Sequence, residues 1–186
     1  TILTGFTEEF INDSSAYSAC DTMQIPTNVV SIADNAFFVS SGAGSSTIPS
    51  FIKNLIFGEN SNCSSIGAYA FYKCTSLTFV TLPDALLIIN NYTFYGCSAL
   101  TSVVFPDKLT TIGAYSFEAC SVLTSITFSN SLSEIGACAF ATCLLLSSVD
   151  FSNCSNLTTI GLNAFQNSGI TTVNLEKCIK LTNILG

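Results

Sequence analysis

Nine cysteines are the residues of this chain best suited to chemistry, because a thiolate serves as nucleophile, metal ligand or half of a disulfide. Their spacing points away from all three. Cys74, Cys97, Cys120 and Cys143 recur every 23 residues, and no C-x₂-C pair or paired cluster occurs that would hold a tetrahedral metal. The chain has no His, Arg or Trp. Without His there is no Ser-His-Asp or Cys-His nucleophile system and no imidazole switch. Without Arg there is no guanidinium fork for a carboxylate or phosphate. Glu118 and Glu134 fall in different segments and Asp150 is isolated, so no carboxylate pair suits acid–base catalysis. The glycine-rich stretch GAGSS lacks the Lys and helix of a phosphate loop. Five N-x-(S/T) sequons, at Asn12, Asn62, Asn91, Asn153 and Asn156, carry meaning only in a eukaryotic host. The expectation is a non-enzymatic protein with no cofactor and no metal.

Charge narrows the partners. Five Lys face twelve Asp and Glu, for a net charge of −7, which disfavours nucleic acid because neutralising phosphates needs clustered cations. Hydrophobic residues make up 48% of the chain and charged ones only 9%, against about 25% charged in an ordinary domain. The strongest apolar runs, Ala85–Ile89 and Cys143–Leu146, fall far short of the roughly 20 residues that span a bilayer. No charged n-region with an apolar h-region follows Thr1. Ser and Thr fill most of the polar positions.

The elements that position these residues are repeats. Phe71, Phe94, Phe117 and Phe140 share the cysteine period of 23, each three residues before a Cys, and Ile66, Ile89, Ile112 and Ile135 lie five residues before each Phe. Ile32–Phe37 begins an earlier copy, and Ile160–Phe165 follows Ile135 by 25 residues. Each repeat also holds an L-x-x-L-x-L segment, for example Leu77-Val80-Leu82, Leu100-Val103-Phe105 and Leu123-Ile126-Phe128. A period of 20–29 with that segment is the arithmetic of a leucine-rich repeat. The short alternating strand cannot bury its apolar face alone, so coils must stack and share a core. The I-G-x-x-A-F-x-x-C stretch then closes the coil on the opposite side as a short helical or 3₁₀ turn. In the stack, the regularly spaced thiols form an interior ladder of small buried hydrophobes. Neighbouring rungs come within disulfide distance but rarely present the required dihedral.

The pattern C-x-x-L-T-S-(I/V)-x-(L/F)-P-x-x-L-x-x-I-G-x-x-(A/S)-F resembles the BspA-like, or Treponema pallidum type, leucine-rich repeats. Leu100–Phe117 (LTSVVFPDKLTTIGAYSF) carries a near-consensus copy, and the resemblance covers roughly residues 23–186. It implies a cell-surface or secreted protein of the kind found in anaerobic bacteria and parasitic protists. There such repeats act in adhesion, host-protein binding and coaggregation. The expected fold is an α/β leucine-rich-repeat solenoid of about seven 23–25-residue coils. A parallel sheet would line the concave face and short helical or 3₁₀ turns the convex face. Residues 1–22 are expected to be a cap or degenerate first coil, with Thr7-Glu8-Glu9-Phe10 starting a short helix. Residues 23–186 form the solenoid, with a flexible loop inserted at Ser40–Ser46. The text stops in mid-repeat at Leu181–Gly186, so this coil is expected to be uncapped.

Strand residues between the inward ones define the candidate binding face. They are Lys53 and Asn54, then Thr78, Phe79 and Thr81, then Thr101, Ser102 and Val104. The series continues with Thr124, Ser125 and Thr127, with Ser147, Ser148 and Asp150, and with Thr171, Thr172 and Asn174. A host protein or glycan is the expected partner of this hydroxyl-rich face. The competing reading is that Ser and Thr merely suit a half-exposed sheet. Tyr69, Tyr92 and Tyr115 form a second, aromatic stripe, suited either to sugar rings and protein hot spots or to shielding coil edges. A structural spacer that self-stacks through the uncapped end is the alternative function. A threonine array for ice is disfavoured by the interruptions at Phe79, Val104 and Asp150.

Overall fold

A computed structural model describes residues 2–3, 21–39, 45–46, 48 and 50–186. The expected cap at 4–20 and most of the inserted loop at 40–46 lie outside them. Strands β4 (Phe38–Val39) and β5 (Ser45–Ser46) pair antiparallel at the two ends of that insert.

Two parallel ladders run along the chain. The first ladder contains the L-x-x-V-x-F segments. β2 (Thr22–Ile25), β6 (Asn54–Phe57), β8 (Phe79–Thr81) and β10 (Ser102–Val104) form one four-stranded sheet. β12 (Ser125–Thr127) and β14 (Ser148–Asp150) form a separate two-stranded sheet. The expected last strand around Thr171–Asn174 does not form; these residues are exposed and irregular.

The second ladder is one that the periodicity had assigned to a closing turn. β1 (Ile2–Leu3), β3 (Ser31–Ile32), β7 (Ser65–Ile66) and β9 (Ile88–Ile89) stack in order. β11 (Thr111–Ile112), β13 (Glu134–Ile135), β15 (Thr159–Ile160) and β16 (Asn183–Ile184) complete an eight-stranded parallel sheet. The isoleucines fall in register, Ile66 on Ile89 and Ile112 on Ile135, because a 23-residue period returns the same residue to the same place on the next coil.

Among the described residues there is no helix, and the solenoid makes about 5 turns. The expected helical or 3₁₀ closing turns and the count of seven coils are therefore not confirmed. Backbone handedness supplies the reason. In every coil the residue two before the core Phe is left-handed: Asn35, Tyr69, Tyr92, Tyr115, Cys138 and Asn163 have φ of 53 to 60°. The residue two after it is left-handed too, as at Lys73 (52°), Gly96 (69°), Ala119 (60°) and Thr142 (59°). Two left-handed residues within five cannot propagate a right-handed helix. Each costs on the order of 1 kcal/mol in a non-glycine residue. Inter-coil bonds offset that cost: Tyr92, Phe94 and Gly96 donate to the carbonyls of Ala114, Ser116 and Glu118 at 3.0, 2.8 and 2.8 Å.

Between the ladders lies one core. Phe37, Phe71, Phe94, Phe117, Phe140 and Phe165 stack ring on ring with centroids 5.1 to 5.4 Å apart, inside the preferred range for aromatic pairs. The I-G glycine serves close approach. A Cβ on Gly136 would sit 2.6 Å from the Ala114 backbone nitrogen of the preceding coil.

Candidate functional site

The structure describes eight cysteines, and all eight are free thiols. Burial pushes the thiols of Cys97 and Cys120 well up and that of Cys143 up to about 12. They are neither nucleophiles nor bare hydrophobes. Cys97, Cys120 and Cys143 donate S–H bonds to the carbonyls of Phe71, Phe94 and Phe117 at 3.3, 3.4 and 3.2 Å. Each thiol thus ties its coil to the one before. Among the described residues no group of His, Cys, Asp or Glu could hold a metal ion, and no helix is long and apolar enough to cross a membrane.

The tyrosine stripe exists, in a form that spends its faces. Tyr69, Tyr92 and Tyr115 stack with centroids 4.6 and 4.7 Å apart and planes within 8°. Beside them Tyr72 and Tyr95 stack at 4.9 Å. A sugar or partner side chain stacks on an open ring face, and the inner rings have none left. Cys138 follows in the place of Tyr115 one coil on, and half-buried Glu118 in the place of Tyr95. Burial, with Glu118 second, holds the Tyr95 hydroxyl above its ordinary pKa. This geometry supports the shielding role.

The candidate strand face divides into two groups. In the four-stranded sheet, Ser102 lies beside Phe79 and Val104 beside Thr81, and Asn54 beside Phe79. Several hydroxyls here are consumed by the fold. Thr78 and Thr101 donate to the carbonyls of Lys53 and Thr78 at 3.1 and 2.9 Å. Thr81 accepts from the Phe57 amide at 3.0 Å. In the two-stranded sheet, Ser125 lies beside Ser148 and Thr127 beside Asp150. Among the described residues, the side-chain hydroxyls of Ser125, Thr127, Ser147 and Ser148 make no intrachain hydrogen bond and stand exposed. The Ser152 hydroxyl first, and then the Ser152 amide at 2.8 Å, hold the Asp150 carboxylate below its usual pKa. Thr171, Thr172 and Asn174 are exposed but belong to no strand, and Asn174 caps the Glu176 amide at 2.9 Å.

The two groups meet at a break. Between β10 and β12 no ladder forms, and one long bond, Thr124 N–H to the Thr101 carbonyl at 3.4 Å, bridges them. A shallow depression lies at that break, lined by Ser102, Val104, Phe105, Asp107, Ser125 and Thr127 among others. The strand pattern had named Ser102, Val104, Ser125 and Thr127. Asp107, Phe105 and Asn153 were missed, because they belong to the turn beyond the strand.

The Ile-side ladder carries a hydroxyl row of its own that the sequence reading did not separate. Thr110, Ser133 and Thr158 each donate to the carbonyl of the equivalent residue one coil earlier at 2.9 Å. Their backbone amides bond to the same carbonyls at 2.8, 2.8 and 2.9 Å. Much of the Ser and Thr content is therefore structural, since a hydroxyl can fill the second lone pair of an already bonded carbonyl.

Comparison with known proteins bears on the repeat itself. A model of the BspA type leucine rich repeat region matches residues 9–66 and 64–184, with six copies. A solved leucine-rich repeat protein of T. pallidum is similar at 26% identity and TM-score 0.63, over 87% of this chain and 78% of that one. One from Eubacterium ventriosum shares the fold at 24% identity and TM-score 0.62, over 84% of this chain and 45% of that one. The pneumococcal vaccine antigen PcpA shares it at 16% identity and TM-score 0.52, over 82% and 46%. No curated protein matches the sequence.

Proposed function

Because the chain belongs to the BspA-type leucine-rich-repeat family, we propose that it is a non-catalytic recognition module of a cell-surface or secreted protein. It binds a host protein or glycan through its strand face. The observation that carries this reading is the row of exposed hydroxyls on β12 and β14 that the fold does not use. On the same face Thr78, Thr81 and Thr101 are tied to a neighbouring coil, so the hydroxyls of β12 and β14 are a part of the surface free to engage a partner. The likeness to the pneumococcal vaccine antigen is one of fold only, and function lives in the residues grafted onto it.

The test replaces Thr124, Ser147 and Ser148 with Lys and measures capture by immobilised extracellular-matrix protein and mucin. Exposed substitutions of this kind leave stability within about 0.5 kcal/mol, so a loss of capture with an unchanged melting curve supports the reading. Unchanged capture overturns it.

A second reading rests on the far end of the Ile-side sheet. Among the described residues strand β16 pairs on one side only, and Ile184 in it and Leu185 after it are 61% and 51% exposed. A second copy stacking there would make the protein a spacer or self-assembling element. Light scattering over a concentration series separates the two, because a constant monomer mass removes the stacking role.

A further inference from the structure

The depression at the β10–β12 break has a volume of about 390 Å³ and is built by three coils. The coil of β10 supplies Ser102, Val104 and Asp107, the coil of β12 supplies Ser125 and Thr127, and the next supplies Asn153. Asn153 is there because of a departure from the repeat. Seven positions separate Phe105 from Ile112 and Phe128 from Ile135, but nine separate Phe151 from Ile160. The longer turn provides the third wall. Ser129 donates to the Asp107 carbonyl at 2.9 Å and ties the turn between Phe105 and Ile112 to the next coil.

Apolar and polar groups both line the depression. Val104 is 54% exposed and Phe105 half-buried. Among the described residues, the hydroxyls of Ser102, Ser125 and Thr127, the Asp107 carboxylate and the Asn153 amide have no intrachain hydrogen-bond partner. The pocket thus offers unspent donors and acceptors beside apolar side chains, with one carboxylate and no lysine in its lining.

We infer that this depression binds a neutral hexopyranose unit of a glycan. A pyranose presents hydroxyls that donate and accept together, matching Ser, Asn and carboxylate groups, and an apolar C–H face that packs on Val104 and Phe105. Asp107 excludes sialylated and sulfated units, since no cation lines the site to pair with them. A lysine-rich peptide fits less well, because a single exposed carboxylate holds an ammonium only weakly. The inference rests on the strand face being a recognition surface and adds the ligand class and the place.

Saturation-transfer NMR tests it with the methyl glycosides of glucose, galactose and mannose, with N-acetylglucosamine, and with sialic acid and a lysine-rich peptide as contrasts. The expected result is transfer to at least one neutral sugar, none to sialic acid, loss of transfer with Val104→Lys and about tenfold weaker binding with Asp107→Ala. Thr75→Lys, exposed and outside both the depression and the strand face, leaves it unchanged, and thermal melts check that each variant is folded. Four silent neutral sugars, full transfer in folded Val104→Lys, or binding of the lysine-rich peptide in their place overturns the inference. If the sugars are silent while the Lys variants at Thr124, Ser147 and Ser148 still block capture of matrix protein, only the pocket falls. Sugar binding beside unaffected capture removes the wider face and leaves the pocket standing.

Discussion

The Ile-side ladder and the strand-face ladder are built by the same coils, yet one runs unbroken through eight strands and the other divides into four and two. On the Ile side successive coils insert an isoleucine and, from Thr110 onward, spend a hydroxyl on the coil before. Ile66, Ile89, Ile112 and Ile135 are at most 1% exposed, and Thr110 and Ser133 bond backward at 2.9 Å. On the strand face the outward positions change from coil to coil: Phe79, Ser102, Ser125 and Ser148 occupy equivalent places. Where the inter-coil bonds lapse, between β10 and β12, a depression appears. A solenoid is stabilised through nearest-neighbour interfaces, so one ladder can carry that coupling while the other varies.

The contrast is open to measurement. Ile112→Ala, on the unbroken ladder, is expected to cost about 2–5 kcal/mol. Val104→Ala, on the divided one, should cost less than about 0.5 kcal/mol. Urea denaturation of both variants checks the pair, and equal costs would erase the distinction. The shared interior should respond to alkali. Burial raises the thiols of Cys143 and Cys154 from 9.0 to about 12, so the folded chain keeps them neutral where the unfolded chain ionises. Their contribution is intact below pH 9 and is lost as the pH rises from 9 through 12, which thermal melts across that window would record. Gly136→Ala, adjoining Ile135, should destabilise by about 1–3 kcal/mol by pressing a methyl on the preceding coil.

Smaller effects separate the two hydroxyl rows. Thr110→Val removes a backward bond and is expected to lower stability by about 1 kcal/mol, whereas Thr124→Val, whose hydroxyl is unused, should be nearly neutral. Chemical denaturation resolves the two. Ser116→Ala should be neutral or slightly stabilising. The Ser116 hydroxyl is fully buried without a partner, while Thr93 one coil earlier donates to the Asn90 carbonyl at 2.8 Å. A loss of stability on removing it would show an interaction that burial alone does not reveal.

Most of the core was legible in the text, because identical residues at a fixed period must stack once the coils do. The Phe, Ile and Cys rungs fall where the 23-residue spacing places them. The closing turns were expected to be helical or 3₁₀ and are not confirmed as such, since no residue type announces left-handed backbone when Tyr, Lys, Ala and Cys all occupy those positions. The thiols were read as inert hydrophobes, and their bonds to the Phe carbonyls needed coordinates. For the candidate site, alternation marked Ser102, Val104, Ser125 and Thr127 as outward-facing. It was blind to Asp107 and Asn153, which reach the same depression from turns in different coils.

The sequence by itself determined a repeating solenoid of the BspA type with a Phe, Ile and Cys interior. Periodicity and burial preference are one-dimensional facts that survive folding unchanged. Which hydroxyls hold coils together and which remain free was decided by the tertiary structure alone. A Ser or Thr bonds backward only where the preceding carbonyl lies within reach, and that distance depends on how closely two coils pack. Thr101 and Thr124 are the same residue at the same place in consecutive repeats. One is spent on the Thr78 carbonyl at 2.9 Å, and the other stands at the break.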